Sequence, residues 1–187
     1  MPLTYIIPIG PYGSGKTTLR KVFESGNYSF LEKFGLNKVD TFMQTCRDDL
    51  FYQVRVLEKN GANKTRRILF DKKNEFFQKI ELEKELNGDK NIVVYFDSAN
   101  SKLGSRCDLV KSVIPDNVVL INFKCSDVEV LLQRTMKRTS HPTFPKEEGK
   151  QRDNIEKGLP YIEYGSVEEF ESFGVSSENV FLENVEF

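Results

Sequence analysis

An α/β fold, a mostly parallel sheet with helices on both faces, is predicted for this chain by three observations. Strand-like and helix-like segments alternate along it without an internal repeat or a low-complexity stretch. The first strand-like run, Leu3–Ile9, is almost continuously apolar, as a strand covered on both faces has to be. That run leads directly into Gly10-Pro11-Tyr12-Gly13-Ser14-Gly15-Lys16-Thr17-Thr18, which fits the phosphate-binding pattern G-x-x-x-x-G-K-[ST] and opens a helix. Strand, crossover helix and parallel strand is the order that builds such a sheet, with the ligand outside the carboxyl ends of the strands.

The elements follow in sequence. Thr17 to Glu24 reads as the first helix, and Phe42–Cys46 as a second strand. A helical run from Asp49 to about Glu58 ends at the break Asn60-Gly61-Ala62-Asn63. Arg66 to Leu86 is a long helix whose apolar face includes Ile68, Leu69, Phe76, Phe77, Ile80 and Leu82, closed by Asn87-Gly88-Asp89. Asn91–Phe96 is a buried strand, Lys102 to Val113 a helix stopped by Pro115, and Asn117–Phe123 a further strand. An amphipathic helix from Asp127 to Arg138 takes Ser126 as its cap. Beyond a polar loop holding Pro142 and Pro145, short helices near 146–157 and 166–173 precede a short strand, Val180–Leu182.

Bulk properties narrow the class. A chain of 187 residues forms one domain, residues 1–187, with a core of its own. Apolar residues at 39% and charged residues at 29% are those of a soluble globular protein. A net charge of −1 supplies no global attraction to nucleic acid or membrane, so a polyanion has to be held by a local basic patch, as a short end rather than a long duplex. Cys46, Cys107 and Cys125 are odd in number and lack metal-ligand spacing, which fits a reducing, cytoplasmic setting. No run suits a signal peptide or a membrane span, so the sequons at Asn27 and Asn63 read as chance matches.

Chemistry concentrates at the expected strand ends. In the phosphate loop, Gly10, Gly13, Ser14 and Gly15 let successive backbone N–H groups turn inward on phosphate oxygens. Lys16 reaches the β/γ-phosphates, Thr17 offers its hydroxyl to Mg²⁺, and Thr18 continues the anion-facing helix start. Arg47, Asp48 and Asp49 end the second strand; Asp48 is either a base that accepts the proton of an attacking hydroxyl or a helix cap. Asp97 ends the central strand, where an acid orients Mg²⁺ or its waters, holds a substrate-binding arginine, or caps a helix. Arg106 either meets a substrate phosphate or is a solvated surface group. Arg134 and Arg138 share a helix face and lead into Thr139–Phe144, so residues of about 134–150 form a candidate lid that stabilises charge on a transferring phosphoryl group; a solvated stripe is the alternative. His141 is the sole histidine and reads as a hydrogen-bonding loop residue. Asn37-Lys38-Val39-Asp40 fits the guanine-reading N-K-x-D pattern but stands too early in the chain for that role.

Taken together, these motifs resemble the 5′-hydroxyl polynucleotide kinase family, of the phage kinase type and the kinase-domain type of fungal tRNA ligases. The likeness rests on Gly13-Ser14-Gly15-Lys16-Thr17, Arg47-Asp48-Asp49-Leu50, Asp97-x-x-Asn100 and Arg134-x-x-x-Arg138, in order over about two-thirds of the chain. The resemblance implies a P-loop NTPase fold with an arginine-bearing lid, Asp48 as general base, and donor-phosphate contacts from Arg134 and Arg138. Asp97 and Asn100 are similar to the D-x-N-N segment of the ligase type. Ser140, His141 and Thr143 look like its N-H-x-[ST] loop, which points to GTP, with ATP as the other donor; serine stands at 140 in place of the asparagine. The phage type carries an acceptor-binding arginine where this chain has Phe51, so Arg55 or Arg106 is the substitute, or Phe51 or Tyr52 stacks on a terminal base.

The expectation is a Mg²⁺-dependent enzyme transferring the γ-phosphate of ATP or GTP to a 5′-hydroxyl nucleic-acid end, RNA ahead of DNA. Such chemistry suits RNA or tRNA end repair, with any ligase or phosphatase supplied by a separate protein. The alternatives are a kinase of nucleosides, sugars or sugar acids, and an NTP-binding switch or scaffold.

Overall fold

The computed structural model describes residues 2–137 and 147–186. Arg138, Ser140, His141, Thr143 and most of the expected lid lie outside the described residues. Five strands, β1 (Leu3–Ile9), β2 (Thr41–Cys46), β3 (Ile92–Asp97), β4 (Asn117–Lys124) and β5 (Val180–Glu186), form one sheet in the order β2-β3-β1-β4-β5. Every neighbouring pair is parallel. The helices are α1 (Lys16–Glu24), α2 (Ser29–Glu32), α3 (Arg47–Tyr52), α4 (Ala62–Leu86), α5 (Leu103–Ser112), α6 (Val128–Met136) and α7 (Glu148–Gly158).

Side-chain alternation along the strands explains the layers. On one face, Leu3, Tyr5, Ile7 and Ile9 of β1 pack with Val94 and Phe96 against Phe77 and Ile80 of α4, Val110 of α5 and Phe170. On the other, Ile6, Val93, Tyr95, Val119 and Ile121 meet Phe23 of α1 and Leu31 of α2. No described helix is long and apolar enough to cross a membrane.

Several boundaries differ from the sequence expectation for identifiable reasons. The cap of α6 is Asp127, one residue later than expected, because its Oδ1 accepts from the backbone N–H groups of Glu129 at 2.9 Å and Val130 at 3.2 Å. The run after β2 is two pieces, α3 and a π-helical turn over Gln53–Leu57, rather than one α-helix. The segment Val167–Phe173 is 3₁₀-helical, with a Ser166–Glu169 capping box. The last strand runs to Glu186 because β4 pairs with it in register from Val118↔Val180 to Lys124↔Glu186. The short helix α2 carries no strong periodic signal and was not expected.

The register also separates the two ends of the sheet. Leu3, Thr41 and Ile92 are level at one end; Cys46 and Asp97 are level at the other, where β1 runs out into the phosphate loop. Asp40 lies at the first end and accepts from the backbone N–H of Asn91 at 3.0 Å. The N-K-x-D match is thus remote from the phosphate loop, and its rejection as a guanine reader stands.

Candidate active site

The phosphate loop is built by close approach. A Cβ on Gly10, whose φ is +153°, would lie 2.7 Å from the Phe123 carbonyl oxygen, so this position admits only glycine without displacing β4. A Cβ on Gly13, at φ +82°, would lie 2.8 Å from the Leu131 carbonyl oxygen. The loop is therefore wedged against both β4 and α6, and Arg134, half-buried, lies on that same helix. The buried Tyr95 hydroxyl donates to the Lys16 carbonyl at 2.7 Å, tying the first turn of α1 to β3.

Lys16 turns back on its own loop, donating to the carbonyls of Gly10 at 2.8 Å and Pro11 at 2.7 Å and to Ser14 Oγ at 3.3 Å. A small pocket is lined by Tyr12, Gly13, Gly15, Lys16, Thr17 and Asp48, with Asp97, Ser98 and Ala99 on its far side. Thr18 stands exposed at the next position of α1. The two adjacent acids part company here. Asp48 faces the phosphate pocket, whereas Asp49 accepts from Arg20 Nη1 at 3.1 Å.

Arg20 was not singled out in the sequence, although it lies one turn beyond Lys16 on α1. Its Nη1 is also 3.3 Å from Asp97 Oδ2, so one guanidinium joins α1, α3 and the end of β3. Asp97 is buried; desolvation raises its pKa above the usual carboxylate range, against the charges of Arg20 and Lys16 and a hydrogen bond from the Thr17 hydroxyl. Its Oδ2 accepts no hydrogen bond among the described residues. A buried carboxylate whose Oδ2 is held by the Arg20 charge without a hydrogen bond, beside a threonine hydroxyl, is a donor set that fits Mg²⁺, which takes one or two protein oxygens and keeps several waters. Burial pushes the neighbouring Cys46 thiol up to about 12, leaving it protonated and without nucleophilic use.

A second, larger cavity of about 420 Å³ lies between α3, α4, α5 and the end of β3. Arg47, Arg66 and Lys73 bring positive charge to it, and Phe70, Phe76 and Phe96 bring aromatic surface. Asp97 and Ser98 line both cavities, so the two lie side by side at the end of β3. The stripe Arg66-Phe70-Lys73-Phe77 was readable as one face of a helix, but its charged members were not singled out in the sequence.

The other expected acceptor contacts are placed differently. Arg106 is 1% exposed, so the expectation that it meets a substrate phosphate is corrected. Its Nε and Nη2 donate to Glu169 at 2.8 and 2.6 Å, and its Nη1 donates to the carbonyls of Asn100 and Glu163 at 2.8 and 2.7 Å. Every nitrogen of the group is engaged, four of its five N–H donors are spent inside the protein, and the group is buried. Arg55 donates to the Asn60 carbonyl and, like Phe51, lines neither of the two cavities. Asn100 borders the larger cavity, at φ +46°, yet its amide is committed to the carbonyls of Pro8 and Phe96, both at 2.9 Å. It fixes the loop after β3 rather than presenting its side chain.

Among solved structures, one match carries the likeness in fold. The chain matches a candidate kinase from Chloroflexus aurantiacus J-10-fl with a TM-score of 0.54 at 15% identity, over 100% of this chain and 89% of that one. Kti12 of Chaetomium thermophilum, in complex with ADP-AlF3, gives 0.48 at 19% identity, over 97% and 88%. A gluconokinase from Sinorhizobium meliloti 1021 gives 0.43 at 17% identity, over 97% and 81%. No family profile and no curated protein matches the chain. What the likeness shows is the architecture alone: an all-parallel, five-stranded α/β sheet.

Proposed function

We propose that this protein is a Mg²⁺-dependent phosphotransferase that moves the γ-phosphoryl group of ATP or GTP to the 5′-hydroxyl of a nucleic-acid end, RNA ahead of DNA. The observation that carries the reading is the junction at Asp97 and Ser98. There the pocket at the phosphate loop, faced by Asp48, adjoins a larger cavity that brings Arg47, Arg66 and Lys73 together with Phe70, Phe76 and Phe96, against the acids Asp97 and Asp108. The larger cavity's volume lies within the range of small-ligand sites and suits one terminal nucleotide.

On the donor side, Lys16 exchanges the loop carbonyls for phosphate oxygens, which are charged and therefore stronger acceptors. Thr17 and Asp97 would hold Mg²⁺, which supplies charge neutralisation on the β- and γ-phosphate oxygens. On the acceptor side, Arg47, Arg66 and Lys73 offer charge to a phosphate, and Asp48 accepts the proton of the attacking hydroxyl. Donor-phosphate contacts from Arg134 are carried over from the resemblance, as are those of Arg138, Ser140, His141 and Thr143, which lie outside the described residues. The order of motifs along the chain supports the same assignment, as does the phosphate loop itself. RNA end repair, with ligation or dephosphorylation supplied by a separate protein, is the setting in which a new 5′-phosphate is needed.

A radiolabel transfer assay with ATP and GTP against RNA and DNA 5′-hydroxyl oligonucleotides, free nucleosides and gluconate-type sugars tests this. Label on oligonucleotides is expected, RNA first. Asp48→Ala is expected to lose about 10² to 10⁴ in rate while nucleotide affinity holds. Full activity in that variant, or loss of nucleotide binding, would refute the base assignment. A second reading, a small-molecule kinase, draws on the mainly apolar lining and limited size of the larger cavity, and predicts label on nucleosides or sugars alone. An NTP-binding switch predicts label on none.

A further inference from the structure

Charge is distributed unevenly along α4. Its first half carries Lys64, Arg66, Arg67, Lys72 and Lys73 against the single acid Asp71; its second half carries Glu75, Glu81, Glu83 and Glu85 against Lys79 and Lys84. This is the reverse of what the helix dipole favours, because cations crowd the positive end. The first turn has no acid, and no side chain caps it. Helix stability therefore does not explain the placement. Ion pairing does not explain it either: among the described residues, Lys72 pairs with Glu75, and Lys64, Arg66 and Arg67 are exposed without an ion pair.

Amid these cations Phe70 is 64% exposed, one turn from Arg66, Arg67 and Lys73. Arg66, Phe70 and Lys73 line the larger cavity, so the surface continues outward from the acceptor site. An exposed aromatic ring bordered by positive charge is what a strand of unpaired nucleotides requires, since every base has a face to stack and every link a phosphate. A duplex offers no free base face to that ring.

We propose that the first half of α4 is the docking surface for single-stranded nucleic acid on the 3′ side of the acceptor end. A base stacks on Phe70 and phosphates meet Arg66, Arg67 and Lys73. This rests on the nucleic-acid acceptor reading above, and extends it from one terminal nucleotide to the strand behind it.

Fluorescence anisotropy of a labelled 5′-hydroxyl 12-nucleotide RNA, titrated with the whole protein across a salt series, tests the surface. Arg66→Ala/Arg67→Ala is expected to flatten the slope of log affinity against log salt by about 1.4, or about 0.7 for each lost single-strand phosphate contact. Phe70→Ala is expected to weaken binding roughly ten-fold with little change in slope. Lys84→Ala, in the acidic half, is the control and should change neither, and thermal unfolding verifies that each variant folds.

An unchanged slope in the double variant, wild-type affinity in Phe70→Ala, or no RNA binding by the wild type would overturn the proposal. So would equal competition by a poly-glutamate peptide of matched charge, which would point to an acidic protein partner. Binding and catalysis fail separately. Intact α4-dependent binding without transfer refutes the kinase reading alone, and transfer with an unaltered salt slope refutes the docking surface alone.

Discussion

Replacing Arg106 with methionine separates a structural arginine from a ligand-binding one. Methionine approximates the length of the side chain and keeps its apolar packing, but removes five donors. It leaves the Glu169 carboxylate, 6% exposed, without its bidentate partner, and strips a donor from the carbonyls of Asn100 and Glu163. Breaking one side of a buried ion pair costs about 3–5 kcal/mol, because an uncompensated charge stays in a poor solvent. For a chain of this size that lowers the melting temperature by about 10 °C or more.

The reading depends on the pair, so the companion variant matters. Arg106→Met/Glu169→Gln removes the stranded charge yet keeps an acceptor for the Ser166 backbone N–H. It is expected to recover roughly 2 kcal/mol of the loss in a double-mutant cycle. Urea unfolding followed by circular dichroism measures all four corners. A single-variant loss under about 1 kcal/mol, together with a raised KM for acceptor, would refute the structural assignment and return Arg106 to the substrate.

Further expectations concern the phosphate site. Asp97→Asn should abolish or sharply reduce phosphoryl transfer while stabilising the fold near neutral pH. The folded-state pKa of Asp97 is raised by burial, so its contribution to stability is greatest below the ordinary carboxylate range and falls as pH rises through the raised value. The melting-temperature difference between variant and wild type should therefore grow in the variant's favour from acid to neutral pH; parallel curves would overturn the burial argument. Gly10→Ala should cost about 1–3 kcal/mol and weaken nucleotide binding, since its Cβ would sit 2.8 Å from Phe123 Cβ as well as against the carbonyl. Unchanged stability and nucleotide affinity in that variant would mean the loop yields more easily than its packing implies.

Much of the architecture was legible because periodicity and burial agree. Leu3–Ile9 and Asn91–Phe96 read as covered strands and are buried almost throughout. The phosphate loop was legible because glycine spacing encodes backbone conformation directly, as the near-contacts of Gly10 and Gly13 bear out. Arg106 was misread because an isolated arginine in a helical run carries no sign of burial; its partner Glu169 and its acceptor Glu163 lie about sixty residues further on. Arg20 escaped notice for the converse reason, since its partners Asp49 and Asp97 converge on it only in three dimensions. The sequence parted Asp48 from Asp49 only through the resemblance, which implies the first acid as base. Adjacent helical positions point about 100° apart, and only the packed site decides which acid meets the phosphate pocket.

The central place of β1 has a consequence for biosynthesis. This strand is made first, yet its neighbours begin only at Ile92 and Asn117, in β3 and β4. At about 5–20 residues per second, an apolar segment waits several seconds to tens of seconds with neither hydrogen-bonding edge satisfied. Pro8, within that strand and opposite Ile121, has no N–H to lend to a stray partner and so blunts the unpaired edge during the wait. Phe123 and Leu131, against which Gly10 and Gly13 of the phosphate loop pack, are made later still. Nucleotide is therefore expected to recognise the finished sheet and to leave the nascent chain alone.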